Sequence, residues 1–303
     1  MAVTAAAALK LDKVLAGGLK VFKRRLVPLL AFSTRFQAQE LAKDKSLQVP
    51  YVPLEATASA DWNPATGYGD GDFAVQSRAV PVNKRKFQVL SWQSGDLLGL
   101  PAESLAWGME QKMDKLAFDV IADVLSIITV ANFGGPVIPA EAAATFTSSD
   151  VAGIAKALDT ANWPESGRAA VLHQDYVSAL SEDTAIKYAQ NSGSDAALRR
   201  GSVGMISGID IMKGVNFPTN GQNLVGCVAL PSAILIANAP VVPDDEVRME
   251  LTDYRVVTDP ETQLSLVYRS WGNPDLDKCK RTVEFSYGFA VGDATQLKRL
   301  TSA

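Results

Sequence analysis

The stretch from Val49 to Val130 constrains this chain more than any other. It opens on a polar hairpin whose tip, Asp61-Trp-Asn-Pro-Ala-Thr-Gly-Tyr-Gly-Asp-Gly-Asp72, holds too many turn formers for a packed core. Residues 50–58 read as its outgoing strand. Residues 74–92 read as the extended return, where Val80 and Val82, then Phe87 and Val89, alternate with polar neighbours around Lys84-Arg85-Lys86. From about Ala102, apolar residues recur at Leu105, Met109, Met113, Leu116, Val120, Val124 and Ile127, in steps of 4, 4, 3, 4, 4 and 3. Such steps keep one stripe on one side of a helix. Gly99-Leu-Pro101 leads in and Gly134-Gly135-Pro136 closes it, so the helix is expected over about 102–130, roughly 40 Å at ~1.5 Å per residue. A two-stranded ribbon alone is marginal in water, so this one is expected to be stabilised by something outside its own fold. An arm and a strut placed end to end suit a subunit that reaches its neighbours.

Composition narrows the class. The chain has 303 residues, 47% hydrophobic and 20% charged, which fits a folded protein and neither a disordered nor a membrane chain. No apolar run reaches the ~18 to 20 residues of a membrane span. Lys10, Asp12, Lys13 and Lys20 interrupt the apolar N-terminus, unlike a signal peptide, and a reducing cytoplasm is the expected place of synthesis. Cys227 and Cys279 lack metal-type spacing and read as buried thiols. A single histidine, His173, argues against multi-histidine metal sites.

Charge is unevenly spread. Residues 1–45 hold nine Lys or Arg and three acids, a balance of +6; since the whole chain is −4, the remainder is −10. A basic arm on an acidic body points to contact with a polyanion or with another subunit's acidic face. Residues 8–30 can form an amphipathic helix with Leu11, Val14, Leu15, Val21, Phe22 and Leu26 near one side, broken by a hinge at Gly17-Gly18 and ended by Pro28. The preferred reading is an arm that orders on a partner; the other is a packed first helix.

Further along, Ser148-Ser149-Asp150 precedes a helix over Val151–Ala161. Gly167–His173 reads as a buried strand and Asp175–Leu180 as a short helix. Gly201–Gly214 reads as a strand with bends, and Gly226–Ala239 as core interrupted by Pro231. Strands over Val247–Val257 and Leu264–Trp271 flank the turn Thr258–Thr262, and Thr282–Val291 alternates as if one face were buried. The search for chemistry finds no dinucleotide or phosphate loop and no nucleophile elbow. His173, Asp175 and Ser178 lie close in sequence without implying a triad. Asp61, Asp70 and Asp72 lack the closing glutamate of a calcium loop. Asp244-Asp245-Glu246 reads as an exposed acidic turn. No cofactor, metal or catalytic residue is assigned.

The order of these parts resembles the major capsid proteins of tailed bacteriophages, the Hong Kong phage-type fold shared with encapsulin shells. Local phrases resemble it too: Asn162-Trp-Pro-Glu-Ser-Gly-Arg-Ala-Ala-Val-Leu-His-Gln-Asp-Tyr176, Gly201-Ser-Val-Gly-Met-Ile-Ser-Gly-Ile-Asp-Ile211 and Phe285-Ser-Tyr-Gly-Phe-Ala-Val-Gly292. The resemblance implies an α+β capsid fold with an N-terminal arm at 1–48 and an extended loop at 49–86. A peripheral domain with its spine helix would take 87–131 and 246–280, and an axial domain 132–245 and 281–303. It implies a non-enzymatic subunit that self-assembles as hexamers and pentamers into an icosahedral virion shell around packaged double-stranded DNA. Assembly would occur in the host bacterial cytoplasm, with portal, a separate scaffolding protein and a decoration protein as further partners and no membrane. The alternatives are an encapsulin-like cargo shell or an α+β enzyme with an unrecognised site. Expected intersubunit contacts are Asp61, Trp62, Tyr68, Asp70 and Asp72 at the loop tip and Asp259, Pro260 and Glu261 on the peripheral hairpin. Lys20, Lys23, Arg24 and Arg25 are expected to meet a neighbour, scaffold or DNA. Some relatives crosslink through a loop lysine, but Asp61–Arg78 holds none, the nearest being Lys84 and Lys86, so noncovalent contact is expected.

Overall fold

The computed structural model describes residues 15, 17–42, 45–54, 62, 75–93, 102–135, 141–184, 186, 204–273 and 276–302. Two sheets organise them. The larger has six strands: β1 (Ser33–Phe36), β4 (Lys84–Gln93), β9 (Ile234–Asn238), β10 (Asp253–Thr258), β11 (Ser265–Asn273) and β12 (Lys278–Val291). Its path runs β1-β9-β12-β11-β10, with β4 also paired to β12. The second sheet has the order β13-β8-β5-β7-β6, from β5 (Ala169–His173), β6 (Gly204–Ile206), β7 (Ile209–Gly214), β8 (Leu224–Ala229) and β13 (Leu297–Thr301). A two-stranded ribbon, β2 (Ser46–Tyr51) with β3 (Gln76–Pro81), stands apart.

The 14-residue β12 carries the larger sheet. It pairs antiparallel with β11 over 278–284, with β4 over 278–287 and with β9 over 287–291. Asn238, fully buried, closes the seam where β9 gives way to β11. Its Nδ2 donates to Ser286 O at 2.7 Å and Ser265 O at 3.2 Å, while its Oδ1 accepts from Ser265 N at 2.9 Å. Every donor and acceptor of the amide is thereby used, as burial requires.

Helix α1 (residues 17–25) and helix α2 (Ala102–Leu125) cover one face of this sheet. Leu15, Leu19, Phe22 and Leu26 are buried against Met109, Met113 and Leu116, and the Phe22 ring meets Phe285 edge-on at 5.0 Å. Burying a side chain such as Phe22 contributes about 1.5–3 kcal/mol. The first helix is therefore part of the core, contrary to the expected arm. The glycine pair is no hinge either: a Cβ on Gly18 would lie 2.0 Å from Met113 Sδ, so glycine lets the two helices touch. After α1, β1 pairs parallel with β9.

Helix α2 ends at Leu125, short of the expected 130. The apolar stripe persists to Ile128, but side-chain amides take over the last carbonyls. Asn220 Nδ2 donates to Leu125 O and Ile128 O, and Asn132 Nδ2 to Ile127 O. Capping the orphan carbonyls from other segments stops the helix. A one-turn helix, α3 (Val130–Phe133), follows.

Helices α4 (Ser148–Thr160) and α5 (Gln174–Glu182) build a second core on the five-stranded sheet. Asp150 Oδ2 accepts from Thr147 N at 2.7 Å and fixes the start of α4. The apolar run Gly226–Ala239 proves to be two strands in different sheets: β8 ends, Pro231 opens a 3-10 turn, and β9 begins in the larger sheet. β12 crosses back to β13 beside it, with Gly292 N donating to Ala233 O and Asp293 N to Ser232 O. Two stretches assigned from sequence to the axial lobe, β9 and most of β12, thus lie in the larger sheet.

Two local expectations change. The strand expected from Val247 begins only at Asp253, and residues 247–249 belong to helix α6 (Asp245–Met249), whose first turn Asp245 and Glu246 suit. Residues 282–288 of β12 are buried on both faces, since Arg85 and Arg269 cover the polar side at Glu284. Phe87, in the alternating stretch of β4, is 59% exposed.

The corner from β3 to β4 crosses β12 at Gly288, where a Cβ would lie 1.8 Å from Pro81 O. Gly288→Ala is expected to lower stability by about 1–3 kcal/mol or more through overpacking. Gly272→Ala, with nothing within 4 Å of its Cβ, is expected to stay within about 0.5 kcal/mol of the parent. Urea midpoints compare the two.

Candidate functional site

The crossing between the sheets is also the root of the hairpin. Ser232 Oγ accepts from Val52 N at 3.2 Å, Asp293 Oδ2 accepts from Leu54 N at 3.0 Å, and Gln296 Nε2 donates to Val52 O at 2.7 Å. On the return side, Arg78 Nη1 donates to Val291 O at 2.6 Å. Beneath these bonds Leu47, Val49, Val80 and Val82 are buried against Leu235, Ala237 and Ala239. The described part of the ribbon is therefore supported by other segments of its own chain. A cleft of about 940 Å³ opens beside the root, with Val52, Leu54, Trp163, Pro164, Pro231 and Gln296 among its walls. Arg168 fixes the far wall by donating to Trp163 O, Pro164 O and Asp159 Oδ1.

Sequence reasoning missed Ser232, Asp293 and Gln296. Asp293-Ala-Thr295 has a local capping signature, and Asp293 Oδ1 does accept from Thr295 N and Oγ1. Nothing in sequence links it to Leu54, 239 positions away. Burial alone would raise the Asp293 pKa, but the hydrogen bonds from Thr295, Leu54 and Gln296 outweigh it and hold it below the ordinary value.

A second polar joint ties the return strand to the long helix. Asp123 of α2 accepts from Tyr287 Oη at 2.6 Å and from Lys84 Nζ at 3.0 Å. Burial opposes the charge on Asp123, yet the Tyr287 and Lys84 bonds bring its pKa below the ordinary value. The Tyr287 hydroxyl is pushed up, first by burial and then by Asp123. Lys84 also lies 4.3 Å from the Phe289 ring centroid, so this lysine is engaged within its own chain.

Two groups of expected contact residues meet each other. Lys23 Nζ lies 2.9 Å from Asp259 Oδ2 and 2.5 Å from Glu261 Oε2, joining α1 to the β10–β11 turn. Hydrogen bonds from Thr262 and then Lys23 keep Asp259 below its ordinary pKa despite the opposing effect of burial. Arg25 Nε pairs with Asp114 Oδ1 at 2.6 Å. Lys20 and Arg24 are exposed. At the loop tip, Asp61, Tyr68, Asp70 and Asp72 lie outside the described residues, and Trp62 is 60% exposed.

His173 caps α5, its Nδ1 accepting from Asp175 N at 3.4 Å. Cys227 is buried, its thiol pushed up to about 12 by burial, whereas Cys279 is exposed, contrary to the expectation for it. Among the described residues no group of three or more His, Cys, Asp or Glu could hold a metal ion, and no helix is long and apolar enough to cross a membrane. The groups at the crossing together fix the base of the ribbon to the body.

Asp293→Ala removes a charged acceptor from that root. Amide exchange at Leu54 is expected to accelerate about 10- to 100-fold, equivalent to ~1–3 kcal/mol of local opening. Because the folded pKa is lowered, the parent's stabilisation is present above the unfolded aspartate value of about 3.9 and is lost as pH falls through the lower folded value. Protection of the Leu54 amide relative to its intrinsic exchange rate should fall across that acid window in the parent, and in the variant it should not.

No protein-family model matches the chain, and no curated protein sequence does. Solved structures do match. A virus-like particle from Pyrococcus furiosus superposes with a TM-score of 0.53 at 11% identity, over 95% of this chain and 98% of that one. Mycobacterium phage Che8 gives 0.52 at 18% identity, over 88% and 92%. The capsid structure of the cyanophage P-SCSP1u gives 0.52 at 16% identity, over 88% and 86%. With a ribbon rooted at the sheet crossing, a long helix across the larger sheet and a second α/β lobe, the chain has the Hong Kong phage-type capsid fold.

Proposed function

We propose that this protein is a non-enzymatic shell subunit, the major capsid protein of a tailed bacteriophage, whose copies close as hexamers and pentamers around packaged double-stranded DNA. The observation that carries this reading is the rooted ribbon. Eight positions of this chain (Leu47, Val49, Val52, Leu54, Arg78, Val80, Ser232 and Asp293) lock the base of a two-stranded ribbon to the junction of two sheets. A firmly held base suits a lever that transmits force to a neighbour. Asp61, Trp62, Tyr68, Asp70 and Asp72 are proposed as its intersubunit contacts, with no lysine at the tip to crosslink.

The six-stranded sheet with α2 is proposed as the peripheral lobe and the five-stranded sheet as the axial lobe. Lys20 and Arg24, exposed on α1, are the proposed contacts of the basic segment with scaffold, neighbour or DNA. Lys23 and Arg25 have intrachain acids as partners and are proposed to brace the subunit itself. Portal and decoration proteins complete the proposed partners, in a virion assembled in the bacterial cytoplasm. A cargo-enclosing shell is the second reading, favoured by similarity to the Pyrococcus furiosus virus-like particle.

Electron microscopy of the expressed chain, alone and with its native host extract, tests the proposal. Closed particles or capsomers are expected; a soluble low-order oligomer under all conditions would overturn it. The absorbance ratio of particles from the host separates DNA-filled from cargo-filled shells. Deleting Asp61–Asp72 is expected to leave the unfolding midpoint of the subunit unchanged and to abolish closed particles, and an unfolded subunit would refute the contact role of the tip.

A further inference from the structure

On the face of the larger sheet turned away from α1 and α2, strand pairing lines up side chains from three strands. Arg269, Thr282 and Val89 stand in one row, and Trp271, Lys280 and Ser91 in the next. Residues directly opposite each other in an antiparallel pair share a face. An open groove of about 450 Å³ runs along these rows, with Arg85, Phe87, Arg269, Trp271, Lys280 and Thr282 among its walls.

Charge in the groove does not balance. Arg85, Arg269 and Lys280 bring three positive charges and Glu284 one negative, a surplus of two. The carboxylate is already engaged: Arg85 donates to both of its oxygens, with Nη2 to Oε2 at 2.6 Å. Arg269 Nε stays 3.7 Å from Oε2, too far for a hydrogen bond. Its guanidinium instead lies 5.9 Å from the centre of the Tyr254 ring, at the limit of a cation–π contact. Arg269 Nε and Nη2 and Thr282 Oγ1 are buried with no hydrogen-bond partner among the described residues, and Thr282 is only 6% exposed. Donors left unpaired in this way are costly, a charged one most of all.

A guanidinium, a hydroxyl and an ammonium on neighbouring positions of two strands make a donor set without a matching acceptor. Guanidinium and ammonium groups bind oxyanions through charge-assisted hydrogen bonds, and the planar fork of arginine can hold two oxygens at once. A surplus of two charges is matched by a dianion, whereas a single carboxylate would leave one cation unbalanced. The rings of Phe87 and Trp271 border the same groove and keep water from part of it, which strengthens each charge interaction inside.

We propose that this groove binds a phosphate dianion, held by Arg269, Thr282 and Lys280 while Arg85 stays on Glu284. The site is complete within one subunit and does not rest on the shell-forming reading. The full chain is titrated with inorganic phosphate in mildly alkaline, zwitterionic buffer at constant ionic strength, followed by calorimetry and thermal unfolding. One saturable site per chain and a rise in the unfolding midpoint are expected. Lys280→Gln and Arg269→Gln should each weaken binding by about tenfold or more, and acetate should bind at least tenfold more weakly than phosphate. If Arg269→Gln does not fold, Lys280→Gln, at a partly exposed position, still decides. Thr282→Val separates a ligand site from a merely unsatisfied hydroxyl. Without phosphate its midpoint should equal or exceed the parent's, and it should gain less from phosphate than the parent does. Phenyl phosphate binding tighter than inorganic phosphate, with the difference lost in Phe87→Ala, would mark a phosphate ester as the source; equal binding would mark the free ion. The proposal is overturned by phosphate binding that never saturates, by Lys280→Gln binding as the parent, by acetate binding equally well, or by an equal gain in Thr282→Val.

Discussion

The structure depends on one strand. β12 is long enough to serve two neighbours in succession along its length, and its residues between 282 and 288 are buried from both faces. Strands in half-solvated sheets alternate sharply in polarity, and β12 does alternate: Val283, Phe285 and Tyr287 meet the helices, while Thr282, Glu284 and Ser286 face the other way. What differs is that arginine side chains cover the polar side. A buried carboxylate is tolerable only with paired charge, and Arg85 provides it from the adjacent strand. The return strand of the hairpin is therefore fixed in register by the burial of Glu284 as much as by its backbone ladder.

Fixing β12 fixes the ribbon. At Gly288 and Gly292 the backbones of other segments come within what a side chain would occupy, and both glycines lie at the end of β12 where the ribbon is rooted. The crossing turns Leu230–Ala233 and Gly292–Gln296 then supply Ser232, Asp293 and Gln296 to the outgoing strand. A surface ribbon of two strands has little stability of its own. Here its base is buried by Leu235, Ala237 and Ala239 from β9 and the residue that follows, so the body orders the base.

How much of this was legible depended on whether the signal was local. The stripe from Met109 to Val124 places a long helix correctly, because a 3.6-residue period needs no partner to be visible. The end of that helix was not legible, since Asn220 caps it from 95 positions away. Gly17-Gly18 misled: the same residues that loosen an isolated helix permit close approach when Met113 lies opposite. The run around Pro231 read as one core segment because apolar composition cannot say which of two sheets receives a strand. The contact residues divide in the same way. Asp259 with Thr262 is a visible turn, but its pairing with Lys23 needed the fold.

The charge asymmetry takes on a different meaning once the pairs are known. A surplus of +6 in the first 45 residues suggested a segment awaiting an external anion. In the folded chain, Lys23 and Arg25 find acids on the β10–β11 turn and on α2, and the segment is buried along its apolar side. Exposed pairs of this kind add little stability, so the burial of Leu19, Phe22 and Leu26 must hold the helix, and the ion pairs orient it.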